Sequence, residues 1–178
     1  RFWNDDGDRR LRDSYFDMYP GVWRHGDWIE FTPRGGAIIY GRSDATINRH
    51  GIRMGTGELY GAVEALPEIA DSLVVDLEYL GRESWMALFV VLRAGATLDD
   101  ALAARLVGAI RVALSPKHVP DAVFAVPEVP RTLSGKKLEV PIKRLLLGEP
   151  VQRVVQRDAM ANPDSLAWFE RFAASRKG

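Results

Sequence analysis

The chain has 178 residues, enough for one substantial core, and its 47% hydrophobic and 27% charged content fits a folded globular protein, not a disordered or fibrous one. Lys plus Arg and Asp plus Glu each number 24, so the formal charge balances and the broad basic face that binds nucleic acid is not expected. There is no cysteine, and the three histidines (His25, His50, His118) are scattered, so disulfides, thiolate chemistry and a metal site are not expected.

The longest apolar run, residues 85–92, falls far short of the roughly 20 that span a bilayer, so no membrane segment is expected. No charged-then-apolar leader follows Arg1, which makes the cytoplasm the expected compartment. The chain opens on Arg1 rather than methionine and crowds Trp3, Trp23 and Trp28 into its first segment, as a piece of a larger protein would.

Residues 1–31 mix aromatics with Asp, Gly and Arg in no sustained helical or strand period, although Val22, Trp23, Trp28, Ile29 and Phe31 suit short strands around a Gly26-Asp27 turn. This stretch is either a surface extension over the domain's own core or the tail of an upstream domain. After the turn cluster at residues 33–36, residues 37–40 read as a short buried strand. Leu59, Val63 and Leu66 predict a helix over residues 57–66, stopped by Pro67. Residues 71–79 and 84–93 then read as an antiparallel strand pair joined through residues 80–83.

Leu98, Leu102, Leu106, Ile110 and Leu114, each four apart, predict a helix over residues 98–114, with Thr97 and Asp100 as a capping box. A strand over residues 122–126 follows, then a polar loop at 131–137, an amphipathic stretch at 142–147, and a short helix beginning at residues 162–165. The order describes an α+β domain with a small sheet and flanking helices.

Three segments carry more Gly, Arg, Lys and Asp than packing needs. In residues 23–27 a glycine precedes Asp27, whose carboxylate can accept two hydrogen bonds from a ribose diol, or simply serve a turn. Residues 41–58 place Arg42 and Arg53 around an alternating stretch with a glycine near its turn. Planar guanidinium forks suit phosphate or ribose oxygens, though a surface hairpin with solvated arginines has the same pattern. The third segment, residues 131–137, has a Gly-Lys pair, but Pro130 stands where the mononucleotide phosphate loop needs its first glycine, so that motif is excluded. What remains is a lysine-tipped loop, either merely solvated or able to reach a developing negative charge.

Taken in order, Trp23-Arg24-His25-Gly26-Asp27, the Gly41 to Glu58 segment and Thr132-Leu133-Ser134-Gly135-Lys136 resemble the closing motifs of the adenylate-forming acyl- and aryl-CoA synthetase superfamily. Residues 43–48, 113–121, 134–143 and 162–169 are most similar to members that activate acetoacetate. The resemblance covers nearly the whole chain. It implies a small, mobile C-terminal domain, a mixed sheet flanked by helices, over residues 44–178, and the end of a large N-terminal adenylation domain over residues 1–43. The missing remainder of that domain would be the chain's partner and would supply the triphosphate loop, the acid pocket and the site for ATP with Mg2+. This chain alone is therefore expected to be inactive.

Carried over position by position, the resemblance implies that Asp27 binds the ribose of ATP or AMP and that Arg42 supports it. Asp44 would be the hinge and Arg53 would contact nucleotide phosphate. Gly51 would let the pantetheine arm of CoA pass, and Arg111 would contact a CoA phosphate. Lys136 would be the adenylation lysine. Gly57, and Lys137 where relatives often carry an apolar residue, depart from the pattern. Another short-chain acyl-CoA synthetase and a non-catalytic interaction module are the alternatives.

Overall fold

The computed structural model describes residues 2–42, 47–49, 52–77 and 84–176, with backbone alone at residues 28, 40–42, 48, 52 and 53. The chain divides into two compact units, Arg1–Asp44 and Ala45–Gly178.

The first unit opens with a 3-10 turn, Asp6–Asp8, that runs into helix α1, Arg9–Tyr15. Asp5 is buried and accepts from the backbone amides of Arg10 (2.8 Å) and Leu11 (2.9 Å), satisfying first-turn donors that would otherwise lack partners. No sequence periodicity announced α1, because Leu11 is the only aliphatic residue of its seven. Strands β1, Asp27–Phe31, and β2, Ala37–Arg42, form an antiparallel ribbon. Its turn is closed by Thr32, whose amide donates to the Gly36 carbonyl at 2.8 Å, with Gly35 at φ +79° where a side chain would be strained.

Two expectations are corrected here. Residues 37–40 form a strand, but not a buried one: Ile38 is 44% and Ile39 65% exposed, since two strands alone cannot cover their own faces. Val22 and Trp23 lie outside any strand, and Trp23 instead stacks on Tyr15 with centroids 4.1 Å apart.

The second unit begins with a short hairpin, β3, Ile47–Arg49, and β4, Ile52–Met54, followed by α2, Thr56–Glu64. A three-stranded mixed sheet follows: β5, Ile69–Asp76, is antiparallel to β6, Met86–Leu92, which is parallel to β7, Ala122–Ala125. Helix α3, Asp100–Ala113, makes the long crossover that a parallel pair needs. The expected residue 80–83 connection lies outside the described residues.

Helices cover the sheet on both faces, which explains why consecutive residues rather than alternate ones are buried over residues 72–76 of β5 and 86–90 of β6. Val74, Met86, Leu88 and Val90 face α2 and α3 through Leu59, Val63, Leu102, Leu106 and Ile110. Leu73, Val75, Ala87 and Phe89 face α4, Glu139–Leu146, and α6, Leu166–Ser175, through Ile142, Leu145, Leu166 and Phe169, with a short α5, Val151–Val154, at the margin. A 3-10 turn, Pro163–Ser165, leads into α6.

The predicted capping box is replaced by a different cap. α3 begins at Asp100, so Asp99 takes the N-cap and its carboxylate accepts from the Leu102 amide at 2.8 Å, while Thr97 lies before the helix. The expected α+β fold with a small mixed sheet and flanking helices is the observed one.

Candidate functional site

In the first unit, Gly26 at φ +84° swings the chain into β1 and sets Asp27 at its start. The Asp27 carboxylate is 20% exposed and lies 2.7 Å from Nδ1 of His25, itself largely in solvent. Across the ribbon Asp27 is in register with Arg42, so two residues singled out from the sequence are direct cross-strand neighbours.

In the second unit, Arg53 lies on β4 opposite Asn48. Asp44 and Gly51 lie outside the described residues. The hairpin is seated by Ile47 and Met54, both buried, and by Arg49, which is only 8% exposed. The Arg49 guanidinium donates to Asp121 Oδ1 at 2.6 Å and to the Val119 carbonyl at 3.2 Å, so at this position the arginine is anchored and not solvated. Arg111 is exposed on the last turn of α3, where a cation is favoured by the helix dipole.

Lys136 is exposed in a tightly built loop. Arg131 and Lys137 face each other as an isolated antiparallel bridge, and between them the Thr132 amide donates to the Lys136 carbonyl at 2.9 Å. The Gly135 amide donates to the Thr132 carbonyl at 2.8 Å, and Gly135 adopts φ +81°. Thr132 Oγ1 accepts from the Lys136 amide at 3.1 Å. Outside the loop, the Leu133 amide donates to the Ala159 carbonyl at 3.1 Å, the Ala161 amide to the Arg131 carbonyl at 3.0 Å, and the Arg131 amide to Asn162 Oδ1 at 2.9 Å. The loop is therefore ordered by its surroundings, unlike the flexible tip that its composition evokes.

The neighbouring Lys137 is held. Its side chain is only 14% exposed, and its ammonium lies 2.6 Å from Glu64, 3.1 Å from Asp71 and 2.7 Å from the Ser72 carbonyl. It sits 3.7 Å above the Tyr60 ring. Burial raises the Asp71 carboxyl, but hydrogen bonds from Arg131 and Lys137 outweigh it and hold the group below its ordinary value. Burial, then the Glu139 carboxylate that accepts the Tyr60 hydroxyl's hydrogen bond, pushes the Tyr60 phenol well up.

Asp71, Arg131 and Asn162 were not singled out from the sequence as site residues. A charged residue at the head of an apolar strand was the available signal, since a half-buried carboxylate in such a place needs partners. Among the described residues no group of three or more His, Asp or Glu side chains is placed to hold a metal ion. None of the described helices is long and apolar enough to cross a membrane.

The AMP-binding enzyme C-terminal domain family matches residues 61–136. Acetoacetyl-CoA synthetase of Danio rerio is 42% identical over 170 residues, 95% of this chain and 25% of the relative. That of Rhizobium meliloti (strain 1021) is 42% identical over 168 residues, 94% of this chain and 25% of the relative. The solved acetoacetyl-CoA synthetase from Streptomyces lividans matches with a TM-score of 0.90 and 55% identity, over 99% of this chain and 26% of that one. The chain thus spans about a quarter of the length of these relatives. Residues 61–136 therefore match the C-terminal domain of the AMP-binding enzymes, and nearly the whole chain is similar to a quarter of the acetoacetyl-CoA synthetases.

Proposed function

We propose that this chain is the C-terminal part of an acid–thiol ligase that joins acetoacetate to CoA at the expense of ATP. A carboxylate is a poor acyl donor. In the first half-reaction its oxygen attacks the α-phosphorus of ATP, pyrophosphate leaves, and an acyl-adenylate forms. In the second, the CoA thiol attacks the acyl carbon and AMP leaves, giving the thioester.

The observation that carries the reading is the pair of adjacent lysines. Lys137 is fully engaged by Glu64, Asp71 and the Ser72 carbonyl, whereas Lys136 stands exposed in an ordered loop. A preformed cation of this kind can bridge the acid's carboxylate and the α-phosphate while negative charge builds between them. Asp27 and Arg42, opposite each other across the ribbon, would hold the ribose, and Arg53 a phosphate. Asp44 would be the hinge about which residues 44–178 rotate between the half-reactions, residues 1–43 belonging to the adenylation domain. Gly51 and Arg111 would then serve CoA. Mg2+ would enter with ATP on the other domain, since the described residues offer no cluster for it. The cytoplasm, which keeps ATP and CoA at hand, is the proposed compartment.

The test is ATP–pyrophosphate exchange with the full-length protein, offering acetoacetate, acetate, butyrate and 3-hydroxybutyrate. Exchange is expected to be strongest with acetoacetate and to fall about 100-fold or more in Lys136→Ala, with thioester formation from supplied acetoacetyl-adenylate preserved. Stronger exchange with another acid would reassign the substrate, and no exchange with any acid in a folded protein would point to a non-catalytic module.

A further inference from the structure

We infer that Asp71 is a positioning residue for Lys136, acting by gripping both stems of the loop that carries it; the inference rests on the reading of Lys136 as the adenylation lysine. The loop's internal hydrogen bonds define its shape, but they do not fix its direction relative to the sheet. Backbone bonds tie the loop to residues 159–162, and its two stems meet at the sheet through one carboxylate on β5, beside the Lys137 bond to the Ser72 carbonyl. Asp71 Oδ2 accepts from Arg131 at 2.6 and 3.2 Å on the incoming stem, and Asp71 Oδ1 lies 3.1 Å from the Lys137 ammonium on the outgoing stem.

Each stem has a second tie. Arg131 donates from its other terminal nitrogen to the Gly135 carbonyl at 2.6 Å, joining the grip to the loop's tip. Lys137 also pairs with Glu64 at 2.6 Å, and Glu64 accepts from the Ser72 hydroxyl at 2.7 Å, so α2 and β5 are joined in the same network. Lys137 is drawn inward, its side chain only 14% exposed, while Lys136 beside it stays exposed. Two cations meet two carboxylates, which leaves the cluster neutral without help from solvent, and the Tyr60 ring under Lys137 adds a face that favours a cation.

A lysine on a loose loop would have to be ordered as the transition state forms, and the barrier would carry that entropy. Held in advance, Lys136 needs only to meet the developing charge. The cluster touches no reacting group, so its effect belongs to the half-reaction that uses Lys136.

The experiment uses the full-length protein with four variants: Asp71→Asn, Lys137→Met, Lys137→Arg and Lys136→Ala. Circular dichroism and thermal melting select variants that fold. Acetoacetate-dependent ATP–pyrophosphate exchange and thioester formation from supplied acetoacetyl-adenylate are measured separately, together with amide hydrogen exchange at Gly135 and Lys136. The expected result is a fall of about 10- to 100-fold in kcat for exchange in Asp71→Asn and Lys137→Met, as a misplacement of about 1 Å produces. The KM for ATP and the thioester step should stay within about twofold, the two loop amides should exchange faster, and Lys137→Arg should recover most of the rate. A purely structural role would depress both half-reactions together and overturns the inference. So does wild-type exchange in folded Asp71→Asn and Lys137→Met while Lys136→Ala is inactive, an outcome that leaves the role of Lys136 intact. Full exchange in Lys136→Ala would instead overturn the role of Lys136 itself, and the inference with it.

Discussion

Arg49 shows how much one side chain can hold at the residue scale. Its guanidinium bonds Asp121 Oδ1, while Asp121 Oδ2 accepts from the Met86 amide at 2.7 Å, so one carboxylate ties β3 to the start of β6. The arginine side chain is 10% exposed and the aspartate 31%, which places the pair between a surface bridge of little worth and a buried one whose disruption is costly. Arg49→Met should therefore lower stability by about 1–2 kcal/mol, mostly through the carboxylate left without its cation. Urea denaturation of Arg49→Met, Asp121→Asn and the double variant checks this. A favourable coupling near 1 kcal/mol is expected, and simple additivity would mean that the two side chains act independently. The sequence showed Arg49 only as one charge in an alternating segment, because Asp121 lies 72 residues further on. Lys137 is a similar case. It stood out as a departure from an apolar position, but its partners Glu64 and Asp71 belong to other elements, and only folding brings them together.

At the scale of elements, what could be read was whatever repeats along the chain. The four-residue leucine spacing identified α3 because the stripe is the face laid on the sheet, with Leu102, Leu106 and Ile110 buried. β6 was legible as an unbroken apolar run for the same reason, and β5 through its apolar centre Leu73-Val74-Val75. The start of α3 was misread because Thr97, Asp99 and Asp100 can all cap a helix, and tertiary packing decides which register is used. Asp99→Ala should cost about 1 kcal/mol by leaving the Leu102 amide without its acceptor, and Thr97→Ala should cost only a few tenths. Thermal or urea unfolding of the two variants distinguishes them, and equal losses would restore the capping box. That β7 runs parallel to β6 is encoded nowhere within residues 122–125; its trace in the sequence is the helix between the two strands, long enough for a parallel crossover.

At the scale of the whole molecule, the motif resemblance marked Asp27, Arg42, Arg53 and Lys136 as candidates, because the chemistry proposed for them would restrict residue type locally. The network that holds the Lys136 loop was hidden because it is assembled from α2, β5 and the loop stems. That network also predicts a stability profile with two slopes. The Asp71 carboxyl lies below its ordinary value in the folded chain, so its contribution is present above the unfolded carboxyl value near 3.9 and is lost as acid protonates it at lower pH. The half-buried Glu68 and Glu149, each lowered chiefly by its arginine partner, Arg105 or Arg144, act in the same direction. Tyr60 behaves oppositely. Its phenol is raised, so the folded chain keeps a proton that the unfolded chain releases near pH 10, and the stability it contributes falls as pH rises beyond that point. Urea midpoints measured from pH 3 to 11 should fall at both ends. Asp71→Asn should be less stable at neutral pH with a shallower acid limb, and Tyr60→Phe should flatten the alkaline limb alone. A variant displaced equally at every pH would have lost packing, whereas a changed slope reports altered titration of the substituted group and its ion-pair partners.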